Sequence, residues 1–204
     1  MMVDYILGVR EIVTFTEQYE ILEEIKRRTS HNPKVWLGLI WLMAYIGMRP
    51  GELRHILEKH INRLAGTIHI PQEHVKDRKP KTIYLIQEDR EILKSIPVGM
   101  PDLHFFRKPD GACFGQNLIY KWVKKVSKGM GIKIDLYGLT RHTSTTGAGR
   151  IHSPDELIDA SLHGTNKAFN RYYRASGEKG REVYESINRM RNAQRSGKER
   201  KHGS

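Results

Sequence analysis

One apolar block near the start of the chain limits what the chain can fold into. From Val35 to Met48 nearly every residue is apolar, and the block contains two tryptophans and Gly38. It is too short to cross a bilayer, which takes about 20 consecutive apolar residues. A helix over Lys34 to Ile46 that is apolar on nearly all sides is typical of a helix surrounded by protein. The sequence therefore predicts a central buried helix with a globular domain built around it.

Polar and helix-breaking residues on both sides of this block predict neighbouring helices. The run Thr14–Glu17 has the pattern of a capping box and opens a helix with one apolar face. The segment Ser30–Pro33 ends that helix and starts the central one. Gly47 suits a helix C-terminus, and Pro50 suits the first turn of a further helix, which we expect to run through His60.

The apolar period then changes from helical to alternating. The runs Thr67–Ile70 and Thr82–Leu85 are short, rich in β-branched residues and roughly alternating, which predicts an antiparallel hairpin. The connection between them is strongly basic near its tip, where we expect Lys76, Arg78, Lys79 and Lys81 to lie. The fold class that follows is mainly α with a small antiparallel β-hairpin or sheet.

The second half of the chain again predicts helices. They are expected at about Glu88–Ser95 and Gln116–Lys128, from Ser153 onward, and at about Lys167–Tyr173 and Lys179–Asn192. The polar, basic tail from Arg191 to Ser204 is predicted to be disordered. No linker demands a domain boundary, so we expect an N-terminal segment or linker remnant over 1–13, one domain over 14–190 and the tail over 191–204.

Charge indicates the kind of partner without deciding it. Lys and Arg number 35 against 23 Asp and Glu, a formal net charge of +12. Such an excess attracts polyanions, of which nucleic acid is the commonest, although a solvated basic surface explains it equally well. Cys113 is the only cysteine and the N-terminus lacks a signal-peptide pattern. We therefore expect a cytoplasmic protein with no membrane partner.

Four short segments, far apart in the sequence, carry side chains suited to phosphate chemistry. Gly47–Leu53 places Arg49 at a helix-to-helix turn, and Glu52 stands three residues on, where it is able to reach back toward Arg49. The hairpin loop carries Lys76. Leu139–Thr146 carries Arg141 at a helix start, where backbone N–H groups favour anions. Leu162–Tyr173 holds a His and a Tyr nine residues apart. Taken singly, each segment also fits an ordinary cap, charged turn or aromatic core position.

In this order and at these distances, the four segments resemble the catalytic domain of tyrosine recombinases of the phage-integrase type, from about Thr14 to Arg174. That family cuts and rejoins DNA through a covalent 3′-phosphotyrosine. The resemblance implies five catalytic residues: Arg49, Lys76, Arg141, His163 and Tyr172. It also implies supporting or alternative roles for Glu52, Tyr137, His142 and Tyr173, and DNA contacts by Arg78, Lys79, Lys81, Arg171 and Arg174.

The second box departs from the family pattern. It usually reads His-x-x-Arg, but Gly138 stands three residues before Arg141. Tyr137 could fill that space, or the role of the histidine could be lost. In the family that histidine assists the nucleophile, so its absence bears on the rate of the reaction rather than on the family resemblance.

The last box also departs from the pattern. The late histidine usually follows a glycine, whereas here Leu162 precedes His163 and Gly164 follows it. Alignment on Gly164 makes Tyr173 the nucleophile. Alignment on His163 favours Tyr172, which we prefer because an Arg then precedes the nucleophile.

The resemblance further implies double-stranded DNA as the partner, association with the nucleoid, a homotetramer on paired sites, and no metal or nucleotide cofactor. No His-Glu-x-x-His or Walker-type pattern occurs in the sequence. An amphipathic C-terminal helix with Val183, Ile187 and Met190 on one face could pack on a neighbouring subunit or cover its own domain. About a dozen residues precede the first predicted helix, so we expect a fragment or a protein without the N-terminal DNA-binding domain of its family.

Two other functions remain open on the sequence. One is a type IB topoisomerase-like enzyme, which uses similar chemistry to relax supercoils. The other is a DNA-binding module of the same family with weakened or lost cleavage, which the missing second-box histidine makes possible. Both enzymes form a covalent DNA adduct, whereas a binding module gives only a salt-sensitive complex.

Overall fold

The described residues form helices and one small antiparallel sheet. The computed structural model describes residues 11–76, 78–148, 151–160 and 177–199. Its helices are α1 (Phe15–Arg28), α2 (Pro33–Ala44), α3 (Pro50–Leu53), α4 (Gln87–Ser95), α5 (Leu118–Gly129), α6 (Thr143–Ala148), α7 (Pro154–Ala160) and α8 (Gly177–Glu199). Strands β1 (Ile61–Asn62), β2 (Thr67–Ile70) and β3 (Lys81–Tyr84) form an antiparallel sheet in that order. The predicted fold class, mainly α with a small antiparallel sheet, is confirmed.

Helix α2 is the centre of the core, as its apolar pattern predicts. Every residue from Leu37 to Ala44 is buried. Trp41 stacks on Phe105 with ring centroids 5.5 Å apart and meets Phe106 edge-on at 5.3 Å. Within the described part of the chain, no helix is long and apolar enough to span a membrane.

Side-chain caps place the starts of two helices where the sequence predicts them. At α1, the Glu17 backbone N–H donates to Thr14 Oγ1 at 3.2 Å, and the Thr14 N–H donates to Glu17 Oε2 at 2.8 Å. At α7, Ser153 and Glu156 make the same reciprocal pair at 3.3 and 2.8 Å. Each capping box satisfies two N–H groups that the helix itself leaves without partners.

Helix α3 is much shorter than predicted. The expected helix from Pro50 through His60 ends at Leu53, and a 3₁₀ turn covers Glu58–His60. The reason is a long-range contact: the Glu58 N–H donates to the Leu103 carbonyl at 2.9 Å, outside any helix. Local sequence carries no signal for that partner.

The predicted hairpin is confirmed and gains a third strand. Ile68 pairs with Ile83, and both are fully buried. Strand β1 adds to the open edge of β2 and is two residues long, too short to give a period-2 pattern. The hairpin connection turns sharply at Arg78, whose φ of 51° lies in the left-handed region.

Helix α8 packs against the rest of its own chain. Val183, Tyr184 and Ile187 are each 2% exposed, and Tyr184 Oη donates to the Ala160 carbonyl at 2.8 Å. The helix continues through Glu199, which corrects the prediction of a disordered tail beginning at Arg191. The sequence left open whether the apolar face of α8 packs on a neighbouring subunit or covers its own domain. In the structure this face packs on its own chain. The predicted helix Lys167–Tyr173 lies outside the described residues.

A buried polar cluster joins the centre of the fold to α4 and α8. Tyr45 Oη donates to Asp89 Oδ2 and accepts from the Ile86 N–H at 3.1 Å. Burial raises the pKa of Asp89 to about 6, and the Tyr45 hydrogen bond and the charge of Arg191 oppose that rise. Ionisation of the Asp89 carboxyl group is therefore less favourable in the folded state than in the unfolded state.

Asp89→Asn is expected to remove part of the pH dependence of stability. The folded pKa of about 6 lies above the unfolded value of 3.8, so the folded state holds its proton more tightly and stability falls as pH rises between those values. The difference corresponds to about 3 kcal/mol, as an order of magnitude. Urea unfolding of wild type and variant from pH 4 to 7 measures it. The exposed Asp155→Asn is the matched control, and an Asp89→Asn curve parallel to wild type contradicts the assignment.

Candidate active site

Arg49 is held by the turn between α2 and α3. It has an extended backbone and immediately precedes Pro50, whose missing N–H costs nothing at the first helical position. The Arg49 N–H donates to Glu52 Oε2 at 2.9 Å, and its Nη1 lies 3.6 Å from Glu52 Oε1. Glu52 is 2% exposed. A buried carboxylate thus sets both the backbone and the charge environment of Arg49.

Lys81 enters the same cluster from the sheet. It is the first residue of β3, and its ammonium group donates to Glu52 Oε1 at 2.7 Å and to the Gly47 carbonyl at 2.9 Å. Its side chain is buried. This corrects the expectation that Lys81 lies at the basic tip of the hairpin with Arg78 and Lys79. The physical reason is the alternation along β3, which turns Lys81 to the same buried side as Ile83.

Arg141 is carried by a π-helical segment, Gly138–His142, that leads into α6. The segment is fixed to α1 because Gln18 Nε2 donates to the Leu139 carbonyl at 2.5 Å. Thr143 Oγ1 donates to the Gly138 carbonyl at 2.8 Å and supports the wide turn. Single π-turns within helices are frequent at functional sites.

Arg49, Lys81 and Arg141 lie close enough together for the charge of each to affect the others. Burial lowers the pKa of Arg141 and the charge of Arg49 lowers it further, while Tyr137 and Glu52 act in the opposite direction. Burial also lowers the pKa of Lys81, against the effect of Glu52 and with that of Arg49 and Arg141. Three cations around one carboxylate leave two net positive charges in this group. Such a group attracts an anion.

The hairpin tip presents its basic residues to solvent. Lys76, Arg78 and Lys79 are exposed. Val75 is 4% exposed and anchors the loop, and its carbonyl accepts from the Arg78 N–H at 2.9 Å. The basic side chains of the tip are therefore accessible to a ligand from solvent.

No metal site accompanies the group in the part of the chain that the structure describes. No cluster of three or more His, Cys, Asp or Glu side chains there is arranged to hold an ion. The rings of His55 and His74 stack with centroids 4.4 Å apart and planes 6° from parallel. That arrangement presents ring faces to each other rather than nitrogens to a shared metal.

Known structures identify the fold. No protein-family model and no curated protein matches the sequence. An integrase from mycobacterium phage Brujita matches with 19% identity and a TM-score of 0.63, over 92% of this chain and 63% of that one. The XerA recombinase matches with 16% identity and a TM-score of 0.58, over 87% of this chain and 65% of that one. The fold is that of tyrosine recombinase catalytic domains.

A lambda integrase dimer bound to a COC′ core site matches similarly, with 15% identity and a TM-score of 0.57, over 78% of this chain and 59% of that one. This chain thus spans less than two thirds of each of these three structures. On the tyrosine recombinase fold, Arg49 lies at the α2–α3 turn, Lys76 on the β2–β3 hairpin and Arg141 in the π-helical segment.

The departure from the tyrosine recombinase second box has a steric basis. A Cβ at Gly138 would lie 2.6 Å from the Glu11 carbonyl oxygen and 2.6 Å from Ile134 Cδ1. No side chain, histidine included, fits there unless the backbone moves. Tyr137 is 38% exposed and contributes to the electrostatics of Arg141, and His142 is half-buried at the end of the π-helical segment.

The last box of the tyrosine recombinase pattern lies outside the described residues. It comprises His163, Arg171, Tyr172, Tyr173 and Arg174. The structure describes α7, which precedes this segment, and α8, which follows it. The roles of these five residues stay predictions.

Sequence reasoning missed the inward position of Lys81. The signal was available, because Lys81 and Ile83 stand at alternate positions of a strand and Ile83 is a core residue. The basic residues just before Lys81 hid this alternation, because they made the segment resemble a solvated loop. Glu52, by contrast, was correctly placed beside Arg49 from its three-residue spacing.

Proposed function

We propose that this chain is the catalytic domain of a site-specific tyrosine recombinase. It breaks and rejoins double-stranded DNA through a covalent 3′-phosphotyrosine and needs neither metal nor ATP. The observation that carries the proposal is the convergence of Arg49 and Arg141, from separate segments, on the tyrosine recombinase fold. The coupled, partly buried guanidinium groups are suited to a phosphodiester.

The two arginines act on the scissile phosphate. Its transition state gathers negative charge on the nonbridging oxygens, and each guanidinium can donate two hydrogen bonds to them while staying charged. Fixed donors of this kind account for much of the rate in comparable reactions. His163 adds a third donor in this proposal.

Tyr172 supplies the nucleophile. Its oxygen bonds to phosphorus as the bond from phosphorus to the 5′-oxygen breaks, so the energy of the phosphodiester is kept in the phosphotyrosine. A phenol has a pKa near 10, and nearby guanidinium groups favour its ionised form. Reversal of the same step by a 5′-hydroxyl rejoins the strand.

Lys76 supplies the proton that the leaving 5′-oxygen takes up. Its exposed position on the hairpin suits an acid that reaches over bound DNA. Arg78 and Lys79 at the same tip, with Arg171 and Arg174, contact backbone phosphates and make binding salt-sensitive. Assembly as a homotetramer on paired DNA sites, in the nucleoid, completes the proposal.

Lys76→Ala is expected to slow cleavage of an ordinary phosphodiester by about 100- to 1000-fold. A 5′-bridging phosphorothiolate should lose less than about tenfold, because a thiolate leaves without protonation. Single-turnover rates on the two substrates measure the difference, with exposed Lys108→Ala as the matched control. Equal losses on both substrates would assign Lys76 to DNA binding instead.

Gly138 favours a second candidate, a DNA-binding domain of the same family with weakened cleavage. Incubation with a pool of nicked, phosphorothiolate-bearing duplexes in EDTA, followed by a denaturing gel, separates the two. The recombinase forms a covalent adduct that EDTA does not prevent, whereas the binding domain gives a salt-sensitive shift and no adduct. Adduct formation that stops on chelation contradicts the metal-free mechanism. Relaxation of supercoiled DNA without strand exchange would indicate a type IB topoisomerase-like activity.

A further inference from the structure

The buried ammonium group of Lys81 lies beside the turn that carries Arg49. Lys81 and Glu52 are 7% and 2% exposed, and their charged atoms lie 2.7 Å apart. The second contact of Lys81, at 2.9 Å, is the carbonyl of Gly47, two residues before Arg49. A buried lysine needs such partners because it has given up its water.

One carboxylate oxygen of Glu52 faces two cations at unequal distances. Oε1 lies 2.7 Å from Lys81 Nζ and 3.6 Å from Arg49 Nη1. The longer distance is beyond hydrogen-bond range, so Lys81 is the closer partner. The other oxygen, Oε2, accepts the Arg49 N–H and shapes the turn. Glu52 thus accepts a hydrogen bond from the Arg49 backbone at Oε2 and one from the Lys81 ammonium group at Oε1.

We propose, building on the proposed function, that Lys81 is a positioning residue for strand cleavage. It neutralises Glu52 and so prevents Glu52 from drawing the Arg49 guanidinium into a close ion pair. Without Lys81, the uncompensated carboxylate attracts the cation that lies 3.6 Å away. A shift of about 1 Å in a catalytic group costs about 100-fold in rate. Loss of Lys81 also lowers the net charge of the cluster that it forms with Arg49, Arg141 and Glu52 from two positive charges to one.

A second substitution separates positioning from a merely structural role. In the double variant Lys81→Met/Glu52→Gln, the charge that attracts Arg49 is gone, while the amide oxygen can still accept the Arg49 N–H. Positioning therefore predicts that the double variant cleaves faster than Lys81→Met alone. A structural role of Lys81 predicts no such recovery, because the contact with Gly47 is lost in both.

The test measures single-turnover cleavage by the full chain on the nicked phosphorothiolate duplex pool at saturating DNA, with DNA affinity measured separately. Lys81→Met is expected to lose about 100-fold in cleavage rate, with an affinity within a few-fold of wild type. Lys81→Arg should stay within about tenfold, and the double variant should recover about tenfold or more. Lys94→Met is the matched control, since it removes an exposed ion pair of similar length, 2.8 Å.

If Lys81→Met cleaves at the wild-type rate, the proposed role of Lys81 is wrong and the proposed function still stands. Equal losses in the single and double variants, with lowered melting temperatures, also overturn it and make Lys81 structural. No adduct from wild type overturns the proposed function and this role together. If Lys81→Met does not fold by circular dichroism, Lys81→Gln replaces it, because it keeps a donor for Gly47, and the same 100-fold loss is expected.

Discussion

Replacing Tyr172 with phenylalanine is expected to abolish the covalent DNA adduct, a loss of roughly 10⁴-fold or more. Phenylalanine has the same ring and lacks the oxygen that attacks phosphorus, so no bond can form at that position. Adduct on a denaturing gel, after incubation with the nicked phosphorothiolate duplex pool, measures the loss. DNA affinity should change by less than about threefold, since one hydroxyl contributes little to a surface dominated by phosphate contacts.

Tyr173→Phe and Tyr120→Phe are the matched controls for this substitution. Tyr120 lies on α5 and is 39% exposed, and Tyr173 is the alternative nucleophile. Both variants should form adduct at close to the wild-type rate. Loss of adduct in Tyr173→Phe, with Tyr172→Phe active, would move the nucleophile by one residue and align the last box on Gly164.

Replacing Arg141 with alanine is expected to slow strand cleavage by roughly 1000-fold. The guanidinium lies with Arg49 in a partly buried group, where its charge is worth more than it would be in water. Arg141→Lys should recover only part of the loss, because an ammonium group cannot donate to two oxygens in the planar geometry of a guanidinium. Single-turnover rates at saturating DNA measure the chemical step apart from binding.

The control for Arg141 is Arg27→Ala, which removes an exposed guanidinium from an ion pair with Glu24 on α1. That variant should cleave at the wild-type rate. The sulfur-bridged substrate sharpens the test further. It should relieve the defect of Lys76→Ala and leave that of Arg141→Ala, because charge on the nonbridging oxygens is present with either leaving atom. Relief of both defects would contradict the division of roles.

Local sequence predicts those parts of the fold that local interactions determine. The capping boxes at Thr14 and Ser153 need only residues three apart, and α2 needs only its unbroken apolar run. The early end of α3 depends instead on Leu103, some fifty residues away, which binds the backbone of Glu58. Likewise, the continuation of α8 to Glu199 follows a polar stretch whose composition resembles that of a disordered tail.

The candidate site divides in the same way. The spacing of Arg49 and Glu52 within one turn predicted their contact, and the basic hairpin predicted exposed cations at Lys76. The burial of Lys81 against Glu52 required the tertiary packing of β3 on the α2–α3 turn. The lack of room for a side chain at position 138, where the resemblance predicts a histidine, also required tertiary structure, because the space is filled by Glu11 and Ile134.

The most direct measurement is peptide mapping of the trapped complex by mass spectrometry. Wild-type protein is incubated in EDTA with the nicked phosphorothiolate duplex pool, digested with nuclease and protease, and searched for a peptide that carries a nucleotide 3′-phosphate. The account predicts that phosphate on Tyr172. A phosphate on any other residue, or no modified peptide despite DNA binding, would contradict it.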